Sequence, residues 1–209
     1  MNIQISPNYT YEKLESMNVD DFIDIFEDRT RVWLLDTVSH LLELEHGYFA
    51  AISLLLTYFE GIAIYLEGRD SQDKSKAFFK KGFVDVFKKS GFDEQLLNKI
   101  GSEFYSEARC GFFHDGMFRN KILISFMKKE ALTITFPKID GILDLNGNIE
   151  SIIVNPKSFF DSINFHFESF ISDLKNKTNI DLRSKFEGAC LVKWKPTEPG
   201  PIVGFEEPK

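Results

Sequence analysis

Residues 47–68 read GYFAAISLLLTYFEGIAIYLEG. Between Gly47 and Leu66 the only charged residue is Glu60. A helix that is apolar on almost every side belongs in the middle of a helical bundle, and glycines at 47 and 68 bound it. The stretch is nearly long enough to span a bilayer, which takes about 20 apolar residues. Glu60 sits inside it, with Ser53, Thr57 and Gly61 softening it further, and a central carboxylate costs a few kcal/mol in lipid. The expectation is therefore a buried core helix in a cytoplasmic protein, without membrane contact.

The flanking sequence supplies helices to surround it. Upstream, NVDDFIDIFEDRTRVWLLDTVSHLLELEHG (18–47) opens on Asn18, a good N-cap, followed by Asp20 and Asp21 where carboxylates suit the helix dipole. Leu34, Val38, Leu41 and Leu42 recur at helical spacing, and Gly47 is expected to end the helix. Downstream, the polar GRDSQDKS forms a loop. KAFFKKGFVDVFKK (76–89) then puts Phe78, Phe79, Phe83, Val86 and Phe87 on one broad face with lysines around it. A fourth helix starts near Asp93. It carries Leu96, Leu97, Ile100, Phe104, Ala108 and Phe112 at i, i+3 or i+4, and should stop between Gly111 and Gly116.

After Arg119 the period changes. KILISFM, ALTITFP and IESIIVN are short, rich in β-branched residues and separated by turn signals. They predict a small antiparallel sheet. Pro156 opens a last helix, KSFFDSINFHFESFISDLKN, with Phe159, Ile163, Phe167, Phe170, Ile171 and Leu174 on one face. Residues 179–209 hold four of the seven prolines and read as an extended tail. The fold class is thus mainly α: a helical bundle over 1–118, a small antiparallel sheet plus helix over 119–178 packed on it, and a proline-rich tail over 179–209.

Composition adds bounds. Of 209 residues 22 are Phe, which predicts a thick aromatic core and apolar surface left for a homodimer interface. The net charge of −7 argues against bulk electrostatic binding to nucleic acid, though not against a small basic site. Cys110 and Cys190 read as reduced thiols. Neither has a partner at metal-ligand spacing, so no metal is expected.

The chemistry-bearing stretch is EARCGFFHDG, 107–116. Histidine titrates near neutrality and can exchange a proton with a ribose 2′-hydroxyl or a leaving oxygen. Arginine offers a planar fork of donors to a phosphate whose charge grows in the transition state. Arg109 and His114 therefore suit phosphodiester cleavage in RNA, with no metal and no cofactor. On an unbroken α-helix five residues make about 500° of turn and 7.5 Å of rise, so the two would point roughly 140° apart. Glu60 wants a partner on its apolar helix, and Arg109 is the candidate. Glu60 and Asp115, beside His114, are taken as supporting residues. Read without chemistry, Arg109–Glu60 is a structural bridge, His114-Asp115-Gly116 is a helix stop, and His40, His46 and His166 are surface or packing residues.

The stretch SEARCGFFHDG, placed on the last helix of a four-helix unit after an all-apolar helix, resembles the Arg-x4-6-His motif of the HEPN superfamily. More narrowly it resembles a plasmid- and phage-associated branch with an RCGLxH-like motif. The resemblance covers about residues 18–118. It implies an all-α bundle, commonly dimeric, in which two copies of the motif form a composite cleft. It also implies a metal-independent endoribonuclease of toxin–antitoxin or abortive-infection type, with an antitoxin protein as a possible partner and DNA spared for want of a 2′-hydroxyl. Some members are inactive, so the alternative it implies is a non-catalytic nucleotide- or protein-binding module. Arg109 and His114 take the motif positions. Cys110 departs from the polar residue that often follows the arginine in active members.

Overall fold

The computed structural model describes residues 4–15 and 18–194, and it is mainly helical with a small sheet. Helix α1 (Val19–Asp28) starts at Asn18, whose side chain accepts the Asp21 N–H at 2.9 Å. It runs through a wide-turned π-helical stretch (Arg29–Asp36) into α2 (Thr37–Glu43). The helix stops four residues short of the predicted Gly47. Glu43 to His46 are all exposed, so nothing there gains by staying helical, and Leu44 takes extended backbone.

Helix α3 (Tyr48–Glu67) ends on left-handed Gly68, as the sequence predicts. It is long and apolar enough to cross a membrane, and 56% of its most apolar window is buried inside the fold. Its neighbours are α2, α4 (Ser75–Phe87), α6 (Pro156–Lys175) and α7 (Ile180–Lys193). The closest approach is at Gly82 of α4, where an added Cβ would stand 1.9 Å from the Phe59 carbonyl oxygen. Backbone therefore lies on backbone, and the Phe59 ring is met edge-on or tilted by Phe79, Phe83 and Phe87. Helix α5 (Glu94–Phe104) opens on Asp93, whose carboxylate accepts the Leu96 N–H at 2.8 Å. It continues without a break into a second π-helical segment, Tyr105–Asp115, closed by left-handed Gly116.

All three predicted strands form, but the sheet they make is mixed, not antiparallel. Strands β1 (Ile122–Ile124), β2 (Leu132–Thr135) and β5 (Ser151–Val154) lie in the order β1-β5-β2, with β1 parallel and β2 antiparallel to β5. The central place falls to β5 because Ile152 and Val154 are fully buried and its backbone needs a partner on both sides. A two-stranded hairpin, β3 (Lys138–Ile139) and β4 (Ile142–Leu143), interrupts the connection from β2 to β5. Asp140 and Gly141 both have positive φ at its two-residue turn.

Helix α6 follows Asn155, which caps it through the Lys157 and Ser158 N–H groups, with Pro156 in its first turn. The expected tail from 179 is a second correction. Residues 180–193 are helix α7, which buries Phe186, Ala189 and Cys190 against the bundle. The four prolines lie beyond it, outside the described residues. One contiguous core runs from Leu14 to Cys190, with Phe22, Phe59, Phe104, Phe159, Phe167 and Phe186 among its largest members. The segment after 118 thus completes the same core as the helices before it.

Candidate functional site

The π-helical turns of Tyr105–Asp115 carry Arg109 and His114. Hydrogen bonds run i→i+5 in such a helix, so residues five apart stand one turn above another, as residues four apart do in an α-helix. Such turns narrow the 140° divergence expected of α geometry, and the segment closes with an i→i+4 bond from the Gly116 N–H to the Phe112 carbonyl at 3.1 Å. Buried Ala108 and Gly111 hold the segment to the bundle, and Phe112 packs edge-on against Phe49 of α3. Gly111 is sterically required. A Cβ there would stand 2.7 Å from the Met117 carbonyl oxygen, because the chain doubles back and the Arg119 N–H bonds the Glu107 carbonyl at 2.9 Å.

The Arg109 guanidinium lies between two rings of its own helix, 5.3 Å from Tyr105 and 4.8 Å from Phe113. Its Nη2 stands 3.8 Å from Glu60 Oε2, inside ion-pair range but beyond a hydrogen bond. The other Glu60 oxygen accepts from Ser71 Oγ at 2.8 Å. Glu60 and Arg109 are partly exposed, at 20% and 26% of their side chains, so the pair sits at the bundle surface, not within it. Burial pushes the Tyr105 phenol up, and the Arg109 charge opposes this.

His114 is exposed, and among the described residues its side chain has no hydrogen bond or ion pair. Asp115 does not support it. That carboxylate accepts from Arg119 Nε at 2.8 Å, while Arg119 Nη1 reaches the Ser106 carbonyl, closing the turn after the helix. The structure thus joins Arg109 with Glu60, leaves His114 free on the next turn, and assigns Asp115 to the turn. Cys110 is a free, half-buried thiol.

Three cavities among the described residues lie elsewhere, and none of these is lined by Arg109 or His114. One of about 510 Å³, between the end of α4 and α6, has Asp85, Phe165, His166 and Phe170 in its wall. Here the sequence reading missed a chain of polar groups that runs from buried Tyr58 and His166 to half-buried Asp85. Tyr58 OH and His166 Nδ1 are 2.8 Å apart, and His166 Nε2 and Asp85 Oδ2 are 2.7 Å apart. Burial pushes the Asp85 carboxyl up, but bonds from His166 and Lys88 outweigh it and hold it at about 2. The signal was present: His166 falls three residues after Ile163 and four before Phe170, on the buried face of α6.

No protein-family model, curated protein or solved structure matches the chain.

Proposed function

We propose that the protein is a metal-independent endoribonuclease of the HEPN type, acting in prokaryotic defence or toxin–antitoxin growth control. The observation that carries the reading is the wide-turned helix end: an arginine held by a carboxylate and two rings, and further along it an exposed histidine with no partner among the described residues. Helices from 18 to 115 then serve as the four-helix unit of that superfamily. In this reading His114 removes the 2′-hydroxyl proton, the 2′-oxygen attacks the adjacent phosphorus as the bond to the 5′-oxygen breaks, that oxygen takes a proton from water, and His114 returns its own to solvent. The ends are a 2′,3′-cyclic phosphate and a 5′-hydroxyl. Arg109 neutralises the non-bridging oxygens as charge builds on them. Glu60 holds the guanidinium between turnovers. The open position of the two residues, outside the three cavities described above, fits a cleft completed by a second copy of the chain across a two-fold axis.

Incubation of the pure protein with total RNA in EDTA tests this. Cleavage that survives the chelator and disappears in His114→Ala is the expected result. Loss of activity with EDTA, or cleavage persisting in His114→Ala, overturns the mechanism. A second reading, a non-catalytic module binding nucleotide or protein, is favoured by one observation: the Arg109 guanidinium already has Glu60 and two rings around it. A wild type inert on every RNA would support it.

A further inference from the structure

The loop Ser125–Glu130 between β1 and β2 combines two properties. Its backbone is pinned. The Ser125 N–H bonds the Val154 carbonyl at 3.0 Å, Asn155 Nδ2 donates to the Lys128 carbonyl, and Ser158 Oγ donates to the Lys129 carbonyl at 2.8 Å. Asn155 is itself buried and caps α6, so the loop is bolted to the start of that helix. Its side chains, in contrast, face solvent. Phe126 is 63% exposed and Met127 93%. Lys128 and Lys129 are exposed, and among the described residues neither has an ion pair.

A fixed backbone presenting an aromatic ring beside two unpaired ammonium groups has the composition of a single-strand binding platform, on which a base stacks and adjacent phosphates are neutralised. Because the loop is already ordered, binding costs little further conformational freedom. Its position is also suitable. The Phe126 ring meets Tyr48, the first residue of α3, edge-on at 5.5 Å. The next residue, Phe49, packs on Phe112 and Phe118, which flank His114 in sequence. The loop and the histidine therefore share one end of the molecule.

We infer that Phe126, Lys128 and Lys129 hold single-stranded RNA, a base stacking on the Phe126 ring, and guide it toward the Arg109–His114 turn; this rests on the ribonuclease reading. Two lysines are few for a membrane surface, where clusters of four or more give lasting attachment.

The test uses the full-length His114→Ala protein in EDTA, so that RNA is not consumed, with a fluorescently labelled mixed-sequence 12-nucleotide RNA followed by anisotropy. Phe126→Ala is expected to weaken binding about ten-fold or more, as loss of one stacked base does, while Phe126→Tyr keeps it. Replacing both lysines by Ala should reduce the slope of log affinity against log salt by about 1.4, the value for two phosphate contacts on a single strand. Melting temperatures establish that each variant is folded. The inference is overturned if Phe126→Ala binds like its parent, if an RNA duplex of equal length binds as well, or if the loop binds only anionic vesicles. The two readings fail separately. Wild-type cleavage left unchanged by Phe126→Ala overturns the platform and keeps the ribonuclease; Phe126-dependent binding by a protein that cleaves nothing keeps the platform and overturns the ribonuclease.

Discussion

Arg109 Nη2 lies 3.8 Å from one oxygen of Glu60, and Ser71 Oγ donates to the other at 2.8 Å. Glu60 therefore ties three segments, α3, the loop before α4 and the π-helical turn, at a partly exposed position. Exposed pairs contribute about 0–1 kcal/mol. In a chain this size Glu60→Gln should lower the melting temperature by no more than about 4 °C. A much larger fall in calorimetry would mean that the pair behaves as a buried one.

Asp85 gives a pH dependence with a definite sign. Its folded carboxyl titrates at about 2 against an ordinary value of 3.8. The stabilisation is fully present above about pH 4 and is lost as pH falls toward 2, on the order of 2 kcal/mol in all. Urea melts of wild type and Asp85→Asn should differ most near neutrality and converge below about pH 2. Parallel curves down to pH 2 would remove Asp85 as the source.

Two glycines of similar helical setting should respond oppositely to alanine. At Gly61 nothing lies within 4 Å of an added Cβ, so Gly61→Ala should stabilise by about 0.5–1 kcal/mol. At Gly111 the Met117 carbonyl at 2.7 Å must move, and about 1–3 kcal/mol should be lost. Equal melting temperatures for the two variants would contradict this packing.

The composite cleft predicts a dimer at micromolar concentration by light scattering. If the two chains share the site, mixing inactive Arg109→Ala with inactive His114→Ala should restore part of the cleavage through heterodimers that carry one intact set. A monodisperse monomer that cleaves RNA would exclude this arrangement.

Much of the helical frame was legible because each end carries its own chemistry. Asn18 caps, a helix starts at Asp93, Pro156 opens the last predicted helix, and Gly68 and Gly116 stop. Helix α7 escaped because its buried set is only Phe186, Ala189 and Cys190, too sparse for a clear apolar stripe, and the prolines behind it coloured the whole segment. Strand pairing escaped for a different reason. Alternation identifies a strand, but not the side from which its neighbours arrive: the chain leaves β1, runs through β2 and the β3–β4 hairpin, and returns as β5 between the two, antiparallel to β2 and parallel to β1. At the candidate site the residue types were readable, and the wide helical turns were not. No side-chain periodicity distinguishes five-residue hydrogen bonding from four in so short a stretch.

Those wide turns make the winding of one helix a variable of the site. With i→i+5 bonds residues five apart, as Arg109 and His114 are, lie about one turn apart; rewound to i→i+4 over the same residues, they would diverge by about 140°. Such a change needs no unfolding, only an exchange of one set of backbone hydrogen bonds for another. The relative direction of the two groups is therefore set by how tightly the chain is coiled between Tyr105 and Asp115, and a partner that tightens this coil would turn them apart without touching either side chain.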